Sequence, residues 1–236
     1  VIGRWIFVRG QAMGRRGWLA LAALFAIALG LFLPLRLVLG MAMPEALSAR
    51  SVEGSVWRGR IADLNVGPLP LGTVEAGLSP LPLLIGRPEL ALSREGFAAR
   101  IAPGRVRDAN GSVALPDGLG GLPVTSLGFG DFSAIIDGSA CQEAGGTLSM
   151  TLASLGPLLP DAMTLSGQAR CEKGALVVPM RGPQGMERLI LRIGGDGRWQ
   201  ADLTLAGLPQ ETADALKASG FDARPGGIGI GTGGTF

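Results

Sequence analysis

The chain has 236 residues, with 21 lysines and arginines against 19 aspartates and glutamates, and contains neither histidine nor tyrosine. Without histidine there is no histidine-based triad, no histidine metal ligand and no imidazole general base. The net charge of +2 hides a division: every acidic residue lies at or after Glu45, where sixteen basic residues face nineteen acidic ones for a net −3, so that part carries no nucleic-acid footprint.

Trp18 to Leu35, WLALAALFAIALGLFLPL, is an uncharged run preceded by Arg15 and Arg16 and followed by Arg36. At about 1.5 Å rise per residue it covers nearly all of the roughly 30 Å hydrocarbon core of a bilayer. The reading is a transmembrane helix over 17–39, with Pro34 tolerable near its end, where freed carbonyls reach water or headgroups. Arg4, Arg9, Arg15 and Arg16 precede it with no acidic residue among them. The positive-inside rule therefore makes 1–16 a cytoplasmic tail, with Arg15 and Arg16 as topology determinants, and places the chain beyond 40 across the membrane, which for a bacterial chain is the periplasm. A cleaved signal peptide, cut near Leu47-Ser48-Ala49, is the competing reading. It fits less well, because the apolar run is longer than the usual ~7–15-residue core of such peptides.

Residues 40–48 read as a linker, and from Ala49 the periodicity changes. Short alternating runs separated by Gly, Pro, Asn or Asp recur every eight to twelve residues; Gly59–Val66, Phe97–Ala102, Val124–Phe129, Ser133–Ser139 and Trp199–Leu205 are examples. Such spacing, with 39 glycines and 16 prolines mostly between the runs, predicts an antiparallel β domain over 49–220, as a curved sheet, a sandwich or an open barrel. Gln210 to Ser219, after Pro209, reads as one short helix. Residues 221–236 read as a flexible glycine-rich tail. Within it Gly229–Gly234 matches G-x-G-x-x-G literally, but no helix follows whose N-terminus would hold a phosphate. The fold class is thus mainly β, with a single N-terminal transmembrane helix and a short C-terminal helix.

Cys141 and Cys171 each follow a strand-like run and lead into another, as in a pair of related hairpins. Neighbouring hairpins would bring the sulfurs onto adjacent strands in an oxidising compartment, which predicts a structural disulfide, with two buried free thiols as the alternative. Between Arg107 and Arg170 no basic residue occurs, while Asp108, Asp117, Asp131, Asp137, Glu143 and Asp161 do, and the flanking strands are net basic. These charges are either ordinary solvated strand faces or a docking surface, for which Arg58, Arg60, Asp117, Asp131 and Asp137 are the candidates. No catalytic residue, metal ligand or cofactor site is predicted: there is no G-x-S-x-G elbow, and Asp131 and Asp137 lack companions for metal or acid/base work.

The stretch Val52-Glu53-Gly54-Ser55-Val56-Trp57-Arg58-Gly59, then Leu71-Gly72-Thr73-Val74, then Leu78-Ser79-Pro80-Leu81-Pro82-Leu83-Leu84-Ile85-Gly86-Arg87 resembles the opening of the type II secretion system protein N family. That family has a G-x-x-W-x-G hairpin followed by an L-x-P-x-x-L-L-x-G turn, a single N-terminal span, a periplasmic β domain and a late cysteine pair. Gly77 stands where an aromatic often precedes the turn. Trp57 reads as the core anchor of the first hairpin. The resemblance implies a noncatalytic component of the bacterial inner membrane, single-pass, that docks other platform proteins or the outer-membrane secretin while folded proteins are exported. The alternative from another class is an AsmA-like lipid-binding or lipid-transfer protein with an apolar β groove, distinguishable from the first by whether the sheet's inner face is open or filled.

Overall fold

The computed structural model describes residues 14–36, 39, 47–67, 69–79, 82, 87–138, 140–154 and 162–235. Helix α1 (Arg15–Phe32) comes first. Among the described residues no helix is long and apolar enough to cross a membrane. At about 1.5 Å per residue, the eighteen residues of α1 measure about 27 Å, and the first two are Arg15 and Arg16. The helix expected over 17–39 is interrupted: α1 ends at Phe32, and helical backbone returns at Leu35 and Arg36. The cause is local: Pro34 disfavours helical backbone in the residue before it, and Leu33 takes an extended conformation, φ −59° and ψ 121°. Trp18, Leu19, Leu21, Leu24, Phe25 and Phe32 are all exposed on α1. At about 100° per residue they occupy more than half its circumference.

All the remaining strands lie in one antiparallel sheet. It begins with an interrupted edge, β1 (Leu47–Ser48) and β2 (Ser51–Gly54), both on β3 (Gly59–Val66). It continues as a meander through β4 (Leu69–Leu78), β5 (Leu90–Arg94), β6 (Phe97–Ala102), β7 (Arg105–Ala114), β8 (Val124–Asp137) and β9 (Ala140–Leu152). Next come β10 (Met163–Gln168) and β11 (Arg170–Glu172), which share the partner β12 (Ala175–Arg181), then β13 (Glu187–Ile193) and β14 (Arg198–Leu205). After α2 (Gln210–Ala218) the chain makes β15 (Asp222–Arg224), and β16 (Gly227–Thr235) inserts between β14 and β15. The order of strands is open at both ends: of the expected β architectures, what is found is one large antiparallel sheet that does not close on itself. Of the expected linker, Leu47–Ser48 are β1, and residues 40–46 lie outside the described residues, as do 1–13 of the expected tail.

Three aspartates bend this sheet. Asp63, Asp108 and Asp131 all have positive φ, near +50°, and each sits where the pairing register shifts, in β3, β7 and β8. Aspartate tolerates left-handed backbone better than most residues, and a bulge adds one residue on one side of a ladder, increasing twist and re-aiming the next side chain. The residues that follow, Leu64, Ala109 and Phe132, are buried. Asn110 accepts from the Asp131 N–H at 2.9 Å and donates to the Asp131 carboxylate at 3.0 Å, holding the bulges of β7 and β8 side by side. Opposite, Gly146 has φ +85°, and an added Cβ would lie 2.3 Å from the Asp131 carbonyl oxygen. Only glycine serves there.

The inner face is filled. One continuous cluster runs from Leu35 and Ile61 through Leu92, Phe97, Met150, Leu165, Val178 and Leu189 to Leu203 and Ile228. Phe97, Phe129 and Phe132 meet edge to face at 5.8 Å, the geometry their ring quadrupoles favour. The loop between β7 and β8 folds over this face: Leu115, Leu119 and Leu122 are buried, and Gly120 packs so closely on the Trp199 ring of β14 that a Cβ would lie 2.4 Å from it. Thr232 of β16 donates its hydroxyl to the Gly120 carbonyl. Leu216 brings α2 onto the same core.

Candidate docking surfaces

The two ends of the sheet are built differently. At the first, β2 and β3 meet in a turn over Ser55–Arg58, and here it is Val56, 1% exposed, that is buried. Trp57 is half-buried beside it and lines an open groove with Glu53, Arg58, Arg60, Glu75 and Gly77. Gly77 is explained by this turn: a Cβ there would come within 2.6 Å of the Trp57 carbonyl oxygen. The Val56 backbone joins three parts of the chain, donating to the Leu33 carbonyl at 2.9 Å and accepting from Leu78 at 2.7 Å. On the outer face Arg60 stands opposite Glu53 on one side and Glu75 on the other. Arg50 pairs with Asp63 at 3.0 Å.

The last end carries almost no charge on its strand. Residues Gly227–Thr235, expected as a flexible tail, are β16, paired with β14 from Leu205↔Ile228 to Arg198↔Thr235. The glycines alternate for a spatial reason. Ile228, Ile230 and Thr232 share the inward register of Leu205, Leu203 and Ala201, while Gly229, Gly231 and Gly233 fall on the outer face. Arg224 of β15 lies across those glycines to reach Asp202 of β14 at 2.8 Å. A Cβ at Gly231 would stand 2.8 Å from both Arg224 Nη2 and Asp202 Oδ1. Because β15 pairs only with Gly227, Ile228 and Gly229, residues Ile230 to Thr235 have no strand neighbour on their outer side among the described residues. That leaves an edge of about 20 Å of backbone donors and acceptors.

The five candidate docking charges do not converge on either end. Arg58 and Arg60 lie at the first hairpin, Asp117 in the β7–β8 loop, and Asp131 and Asp137 in β8. Asp131 is occupied in its bulge by Asn110, a role its sequence neighbours did not reveal. Asp108, from the same acidic segment, pairs with Arg100 at 3.0 Å, as expected for charges matched across a sheet. Cys141 and Cys171 are joined in a disulfide with Cα atoms 5.5 Å apart. It ties the start of β9 to β11, where the Cys141 N–H also donates to the Gly174 carbonyl at 2.7 Å. Among the described residues no group of three or more His, Cys, Asp or Glu is placed to hold a metal ion.

No curated protein and no solved structure matches the chain. The family described as type II secretion system (T2SS), protein N, matches residues 45–231, from just ahead of β1 to the middle of β16. That range takes in the first hairpin, all three bulges and the disulfide, and the chain belongs to the type II secretion system protein N family.

Proposed function

We propose that the chain is a noncatalytic inner-membrane component of the type II secretion system. In this reading α1 crosses the membrane once, residues 1–16 are cytoplasmic, and the sheet is a periplasmic docking module. It receives an extended segment of another platform protein, or of the secretin, at the free edge of β16. Strand addition of this kind draws affinity from main-chain hydrogen bonds and specificity from alternate side chains. The α1 surface favours the anchor: a helix apolar around most of its circumference and exposed is explained by lipid. Its length leaves only the flanking residues to complete the crossing.

The observation that carries the docking reading is the filled inner face. A protein that holds lipid needs an apolar groove left open, whereas here buried side chains occupy the concavity from Leu35 to Ile228. Photocrosslinking in intact cells from residues Thr235 and Asp117 tests it. Adducts from position 235 to proteins of the secretion platform or the secretin are expected, with far fewer from 117. Phospholipid or lipopolysaccharide adducts, above all from the inward position Leu191, would replace this reading with the lipid-groove one.

A further inference from the structure

The peptide leaving α1 is bonded to the sheet at once. The Leu33 carbonyl accepts from the Val56 N–H at 2.9 Å, Pro34 makes an antiparallel bridge with Ser55, and Leu35 is wholly buried. Leu35 lies so near Gly59 that a Cβ there would be 2.3 Å from its Cδ2. Three consecutive residues after Phe32 are thus held by the β2–β3 turn. Trp57 and Arg58 lie one and two residues beyond the bond to Leu33, at most about 7 Å along the chain.

With α1 and the residues flanking it completing the crossing, the Leu33–Leu35 segment sits at the lipid boundary, and the polar layer beyond is about 5–8 Å deep. The turn therefore falls inside that layer. Its chemistry suits the position: an indole favours the interface, and the guanidinium groups of Arg58 and Arg36, both on exposed residues, match lipid phosphate. Arg60 is left out, because Glu53 and Glu75 flank it across both strand pairs.

We infer that the β2–β3 turn, with Trp57 and Arg58, and the adjoining Arg36 form a contact site for the phospholipid surface, fixing the sheet against the bilayer by its first edge. The inference rests on α1 being the membrane anchor. Its occupant follows from continuity, since the apolar surface of α1 ends where this turn begins.

The full oxidised chain, in vesicles of phosphatidylethanolamine and phosphatidylglycerol, carries a nitroxide at Phe25→Cys, Arg58→Cys or Asp117→Cys. Accessibility to oxygen and to a water-soluble nickel chelate gives the depth of each. Position 25 is expected in the hydrocarbon, position 58 at the phosphates with nickel accessibility several-fold below that of 117, and position 117 in water. A buried 25 with 58 as accessible as 117 overturns the contact site and leaves the anchor standing; a water-exposed 25 overturns the anchor and the contact site with it. Quenching by lipids brominated near the headgroup supplies a second readout that keeps Arg58. In the Trp5→Phe, Trp18→Phe variant, Trp57 should lose fluorescence while Trp199, enclosed in the distal core, does not. Undiminished Trp57 emission counts against the site.

Discussion

The two edges of the sheet face the same physical problem and resolve it in opposite ways. An unpaired strand is a template for other chains, and native proteins blunt it with interruptions, charges and bulges. The first edge has all three: β1 and β2 are broken at Ala49–Arg50, Arg50 and Glu53 sit on or beside it, and Asp63 bulges the neighbouring strand. Among the described residues the last edge has none of them from Ile230 to Thr235. That contrast is the ground for proposing β16 as the docking edge.

The largest effect should come from the link between the halves that carry these edges. In the chain-entropy model, Cys141→Ser with Cys171→Ser, which opens a separation of 30 residues, lowers stability by roughly 3–4 kcal/mol. Urea unfolding followed at Trp57 and at Trp199, one tryptophan kept at a time, shows whether both edges belong to one cooperative unit. Coincident midpoints are expected, and separated ones would split the comparison into two domains. Leu35→Ala comes next, at about 3 kcal/mol for a fully buried leucine. It should also release α1 from the first edge, raising amide exchange at Val56 while leaving Leu203 unchanged.

Proline placed in turn at residues 230 to 235 sharpens the contrast. Where the N–H points to β14, its loss should cost about 1–3 kcal/mol by stranding a partner. At the alternate positions, where it points outward, stability should hardly move while crosslinking from position 235 disappears. Equal destabilisation at every position would mean that the edge is not free. The smallest effect on stability belongs to Arg50→Ile with Glu53→Val. The Arg50–Asp63 pair is exposed, so the change should stay within about 0.5 kcal/mol, yet light scattering should show self-association that the parent chain lacks.

Much of this architecture was legible in the sequence because alternation is a period-2 signal that survives wherever one face is buried. Gly59–Val66 and Phe97–Ala102 were read with the bounds they have in the structure. The signal failed where backbone conformation, and not side-chain pattern, decides. Gly130-Asp131-Phe132 reads as a break between the runs Val124–Phe129 and Ser133–Ser139, but it is a bulge within the fourteen residues of β8. The glycines of β16 read as flexibility, since nothing local tells that Arg224 needs their space. Pro34 could be seen, but its effect could not: the packing of Leu35 against Gly59 joins residues 24 positions apart, and only the tertiary fold shows that α1 ends where the chain meets the sheet. The docking charges were the least legible part, because Asp131 serves a bulge that depends on a partner strand.

The aspartate bulges bear on how the shape is stored. Curvature that came only from side-chain packing would relax as the core was replaced piece by piece. Here the bends at Asp63, Asp108 and Asp131 are recorded in the main chain, in a backbone region few other residues enter cheaply. The three left-handed aspartates thus act as surveyor's marks for the part of the sheet from β3 to β9, where the register shifts lie.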